Sequence, residues 1–174
     1  MSIALSSTSL TATVADPTHF LLHDLDLVAL TRRLRSTYPT LDVDMLVSEY
    51  RRFLLLKYAS RDEHATLVSP SPMIDQVWHE HILETRSYIG MCLTIGFWIH
   101  HDPDGADDKD TIDRERRRAN TNDMYMAMFG PMDQSVWDME GFNMPFLPGI
   151  DPFASSAAVA REMSPKEDES AEWL

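Results

Sequence analysis

Residues 72–92 read PMIDQVWHEHILETRSYIGMC, and the pair His100-His101 follows shortly after Gly96. At about 100° per residue, Ile74, Val77, Trp78, His81, Ile82, Thr85, Tyr88, Ile89 and Cys92 fall on one broad face of a helix. The period predicts a single central helix from Pro72 past Cys92, with His81 near the middle of its apolar stripe. Asp75 and His79 stand four residues apart at the edge of that face, where neighbouring side chains can share a proton or an ion. Ser71 is the expected cap, and proline suits the first turn that it opens.

Four of the seven histidines lie between positions 79 and 101, and histidine is both a frequent metal ligand and a proton carrier. On one straight helix His79 and His81 are about 200° apart, so they do not chelate from one face as His-x-x-x-His does. Cys92 lies about 16 Å along the axis from His81, too far to share an ion with it. A site built on this helix must therefore recruit from another element. The nearest in sequence is the turn His100-His101-Asp102-Pro103-Asp104-Gly105. The candidate metal ligands are His79, His81, His100, His101 and Asp102, with iron, copper or zinc as the divalent ion. Asp75 then orients His79 or acts as a general base, and Tyr88 or Tyr125 serves as proton donor. The competing reading is structural: a buried neutral imidazole with one hydrogen-bond partner requires no cofactor, and Asp102 and Asp104 serve ordinary turn chemistry.

Working outward, Leu27, Leu30 and Leu34 mark a first helix that Pro39 closes. Asp42 or Asp44 caps a second running to about Tyr58, with Leu46, Tyr50, Phe53 and Leu54 buried, Arg51 and Arg52 facing water, and Leu54-Leu55-Leu56 touching neighbours on two sides. Ala59 to Ser71 is a polar connection. Asp107 to Phe129 reads as a further helix, its arginines at 116–118 on a solvated face, and Gln134 to Met139 as a short one. Methionines from Met124 to Met144 fill core gaps in this half. The fold class is all-α, a compact bundle of four to five helices: a flexible lead-in over 1–18, a helical domain over 19–138, and a Pro-rich strap with a mobile acidic tail over 139–174.

Composition narrows the partners. A formal net charge of −13 over 174 residues repels phosphate backbones, which argues against nucleic acid. No apolar run reaches the roughly 18 to 20 residues of a spanning helix, and the N-terminus lacks the basic and apolar regions of a secretory signal. A single cysteine fits a reducing, cytoplasmic compartment. A small-molecule substrate is the expected partner. The oligomeric state stays open, a homodimer among the options.

Between about Tyr50 and Pro103 the chain resembles the glycine-rich domain-containing protein-like family, found in plants and in smaller bacterial and fungal relatives. The matching features are Tyr50-Arg51-Arg52-Phe53-Leu54, Pro72, the run Ile74-Asp75-Gln76-Val77-Trp78-His79-Glu80-His81-Ile82-Leu83, Thr85, Tyr88, Cys92, Phe97 and His100-His101-Asp102-Pro103. With only six glycines and no glycine-rich tail, the chain lacks what would carry over the signalling or RNA-associated roles of the plant members. The functional expectation is a metal-dependent enzyme acting on a small organic molecule, with oxidoreductase chemistry as one option. The alternative is a non-catalytic binding or scaffold protein in which Trp78, His79 and His81 are core elements.

Overall fold

After the turn at Pro39, the Asp42 carboxylate accepts the N–H of Met45 at 3.0 Å and starts α3 (Val43–Ser60). The computed structural model describes residues 16–102 and 111–137. Within them the chain also forms α1 (Pro17–His19), a π-helical turn (Phe20–Asp24), α2 (Val28–Thr37), α4 (Pro72–Leu83), α5 (Thr85–Ile95), α6 (Thr111–Phe129) and α7 (Gln134–Trp137), so the fold is all-α. The expected strap and tail, and residues 1–15 of the expected lead-in, lie outside the described residues. Asp16 is no loose end, since its side chain accepts the N–H of Thr18 and caps α1.

The hub is α3, where the sequence pointed to the histidine helix. It packs against the π-helical turn, α2, α4 and α6. Tyr50, Phe53, Leu54, Leu55 and Leu56 are buried, and the leucine run makes the apolar surface reach round to several neighbours. Arg51 does not simply face water, because its guanidinium donates to the carbonyls of Leu21 and Leu25 and fastens the π-helical turn. Arg52 likewise turns inward, to Glu49 and Tyr125. Arg61, with φ of 54°, ends α3 in the left-handed conformation that closes a helix C-terminus.

The expected central helix is two helices. Ser71 caps α4 as anticipated, its Oγ accepting the N–H of Ile74 at 3.2 Å while donating to the carbonyl of Val136 at 2.6 Å. At Glu84 (φ −80°, ψ 63°) the helix breaks. The Glu84 N–H bonds to the carbonyl of His81, which leaves that of Glu80 without its usual helical donor. Arg33 of α2 supplies one at 3.2 Å and also pairs with the carboxylates of Glu80 and Glu84. Past the break the direction changes, so Thr85 and Ile89, expected on the buried face, are exposed, while Tyr88, Met91, Cys92 and Ile95 are buried.

Two buried polar networks close the body. Glu49 accepts from Arg52 at 2.8 Å, from the Tyr125 hydroxyl at 2.6 Å and from the Trp137 indole at 2.8 Å, and so ties α6 and α7 to α3. Lys57 pairs with Asp62 at 2.8 Å, and Asp62 also accepts the N–H groups of Thr66, Leu67 and Val68. This pair organises the connection that leads to α4. On α6, Arg117 is buried although the arginine run was expected to face solvent; Met124, and Met132 beyond the helix, pack on the core, whereas Met126 and Met128 are exposed. Among the described residues, no helix is long and apolar enough to cross a membrane.

Candidate metal centre

Asp75 and His79 lie one turn apart on α4, and His101 comes to them from the segment that follows α5. His101 Nε2 is 3.0 Å from Asp75 Oδ1, and His79 Nδ1 is 3.5 Å from Asp75 Oδ2. The two imidazole rings are 4.3 Å apart between centroids. One donor atom from each of the three residues lies within 4.8 Å of the others. All three side chains are partly buried, His101 most deeply at 16% exposure. Burial holds the His79 imidazole below its ordinary pKa, with the neighbouring His101 acting in the same direction and Asp75 opposing. A neutral ring keeps a lone pair for a metal.

This donor set fits a divalent transition ion. Two imidazole nitrogens and one carboxylate form the set that leaves open positions on non-haem iron, and zinc accepts the same donors. Ligands about 2.0 to 2.2 Å from one ion stand about 3 to 4 Å apart, and both Asp75 contacts already satisfy that. The carboxylate of this donor set is that of Asp75, expected from the sequence to be an orienter or base.

The other predicted ligands stand elsewhere. His81 is fully buried on the far side of the helix, with Nδ1 2.8 Å from the Tyr50 hydroxyl and Nε2 3.1 Å from Ser87 Oγ. Both its nitrogens are engaged inside the core, so it does not join the second histidine pair. Burial, helped by the positive charges of Arg33 and Arg51, pushes its pKa down to about 4 and keeps it neutral. His100 turns outward and stacks on His64, with ring centroids 5.9 Å apart and planes 3° from parallel. Asp102 is exposed and outside the converging group. The sequence geometry that put His79 and His81 on different sides of α4 holds in the structure.

Neither proposed proton donor points at the centre. The Tyr88 hydroxyl receives the indole N–H of Trp78 at 2.9 Å and donates to the carbonyl of Ile99 at 2.6 Å, and burial raises its pKa. Tyr125 donates to Glu49, and burial together with that carboxylate pushes it up to about 12. An open groove of about 620 Å³ lies at the α4–α5 junction, lined by Asp26, Ala29, Leu83 and Ser87 among others. It adjoins Ser87 and contains none of the three converging residues.

Sequence reading missed Lys57, Asp62 and Ser87, and it placed Tyr50 in the core without its partner His81. Lys57 had a visible signal, since it continues the buried stripe of Tyr50 and Phe53 on α3. Asp62, whose partners all lie within six residues, and Ser87, which reaches Asp26, 61 positions away, carry no periodic signal.

A family model described as UCP032817-like matches residues 23–125, more than half of the chain, and takes in all three converging residues. No curated protein and no solved structure matches.

Proposed function

The chain belongs to the UCP032817-like family, and we propose that it is a metal-dependent enzyme acting on a small organic molecule, with Asp75, His79 and His101 as the ligands. The observation that carries the proposal is the approach of His101, 26 positions away in sequence, to within 3.0 Å of Asp75 on α4. Iron is the favoured ion and oxidoreductase chemistry the favoured reaction, because two imidazoles and one carboxylate leave coordination positions for both a substrate and an oxidant. Bound there, the ion would supply Lewis acidity and, as iron, one-electron chemistry. The chain's own part is to hold three donors on two elements and to shield them partly from water. Trp78 forms one wall, with its ring 4.7 Å from that of His101. A cytoplasmic setting belongs to the same proposal, supported by the single, buried Cys92.

A second reading has its own support. Trp78 and His81, two members of the Trp-His-x-His run, are buried and hydrogen-bonded within the core, as a scaffold protein would have them.

Metal content separates the two readings. Protein purified without a histidine tag is expected to hold about one transition ion per chain, lost in Asp75→Asn, His79→Ala and His101→Ala but kept in His100→Ala and His64→Ala. With iron loaded, oxygen uptake on addition of a pool of small organic acids and alcohols, absent in Asp75→Asn, reads the enzymatic part. Folded wild-type protein that takes up no ion, or that keeps it in all three ligand variants, leaves the scaffold reading standing.

A further inference from the structure

The segment that brings His101 to α4 has no regular secondary structure, so something outside it must fix where the ring points. Its side chains alternate: Phe97 and Ile99 are buried, Trp98 and His100 exposed. The peptide group joining Ile99 to His100 is held at both ends. Its carbonyl accepts the Tyr88 hydroxyl at 2.6 Å, and its N–H donates to the carbonyl of Glu63 at 2.8 Å. With both polar atoms bonded on opposite sides, that peptide plane has little freedom to turn.

Each half of this clamp is itself anchored. Tyr88 accepts the indole N–H of Trp78 at 2.9 Å, and Trp78 lies on α4 between the buried Lys57, whose Nζ is 5.1 Å from its ring, and His101. Glu63 follows Asp62, which the Lys57 ammonium and three backbone N–H groups lock in place. One buried cation thus lies against the ring beside His101 and also secures the loop that grips His100.

We infer that Tyr88 is a positioning residue, and that the relay from Trp78 through Tyr88 to the Ile99 carbonyl sets His101 against Asp75. The proton of Tyr88 is committed to a backbone carbonyl, which gives this hydroxyl a structural task at the site in place of the proton transfer that its residue type suggests. The inference rests on the metal reading only for its effect on affinity. Its effect on His101 itself is independent of any ion.

The full chain and its Tyr88→Phe variant are compared with cobalt(II) as the probe. Tyr88→Phe keeps the ring and removes both hydrogen bonds, so the helical circular dichroism is expected to persist while the cobalt Kd rises about tenfold to a hundredfold and the visible bands shift, the usual cost of losing an outer-shell partner. Tyr125→Phe removes an equally buried hydroxyl from the Glu49 network and is expected to stay within about twofold of wild type. In metal-free protein, the ring nitrogen resonances of His101 report its contact with Asp75 and are expected to move in Tyr88→Phe alone. If wild type takes up no cobalt, the metal reading fails and these resonances still decide the clamp. Unchanged His101 resonances in Tyr88→Phe, or an equal change in Tyr125→Phe, overturn it. Should Tyr88→Phe not fold, Trp78→Phe, which withholds the N–H from Tyr88, is read by the same two measurements.

Discussion

The hydroxyl of Tyr50 on α3 lies 2.8 Å from Nδ1 of His81 on α4, with both residues closed off from solvent. Ser87 Oγ donates to the carbonyl of Asp26 at 3.3 Å. The tautomer that pairs every donor with an acceptor therefore has Tyr50 donating to Nδ1 and Nε2–H donating to Ser87. The chain of bonds joins α3, α4, α5 and the start of α2, and it works only while the imidazole is neutral.

Stability should consequently depend on pH through His81. Its pKa is about 4 in the folded protein against an ordinary 6.5. Between those values the unfolded chain binds a proton that the folded chain does not, so stability is full above about 6.5 and falls as the pH drops towards 4. The slope is about 1.4 kcal/mol per pH unit and the total about 3 kcal/mol. Urea denaturation at several pH values should show it. His79, also held low by burial, acts in the same direction, so the His81 share is the difference from His81→Gln. Identical slopes in the two proteins would rule this account out.

Lys57 and Asp62 have side chains with no solvent exposure. Burial lowers the Lys57 pKa against the pull of Asp62, whereas Asp62 is lowered despite burial because Lys57 and the N–H groups of Val68 and Thr66 favour its charged form. Replacing one partner strands the other charge, and Lys57→Met should cost about 3–5 kcal/mol. Hydrogen exchange at Thr66, Leu67 and Val68 should quicken with it. A loss below about 1 kcal/mol in urea titration would show that the pair does not hold the loop.

Glu49 accepts hydrogen bonds from Arg52, Tyr125 and Trp137 on the three elements α3, α6 and α7. Glu49→Leu leaves the buried Tyr125 hydroxyl and Trp137 indole N–H without their acceptor and takes from Arg52 its carboxylate, at a cost of at least about 2 kcal/mol. The emission of Trp137, isolated as the difference from a Trp137→Phe background, should move to longer wavelength as α7 loosens. Unchanged emission would mean that apolar packing of Val136 and Trp137 alone keeps α7 docked.

Much of the architecture was legible because it is local. The spacing of Leu27, Leu30 and Leu34 and of Leu46, Tyr50 and Phe53, the cap at Ser71, the narrowing of the other cap to Asp42 or Asp44, and the opposed faces of His79 and His81 all follow from one helical period and short-range hydrogen bonds. The break at Glu84 was not legible, since no proline or glycine marks it and Arg33, 51 positions earlier, supports it. The Asp75–His79 pair could be read from its spacing of four; the choice of His101 over His100 could not.

By itself the sequence determined an all-α chain with imidazoles and carboxylates gathered around α4, because helical periodicity is a property of neighbours. Which of those side chains meet was decided by the tertiary structure alone. The peptide plane at Ile99–His100, gripped by Tyr88 and Glu63, turns one histidine outward to His64 and the next inward to Asp75, and a grip between residues 11 and 37 positions apart leaves no periodic trace in the chain.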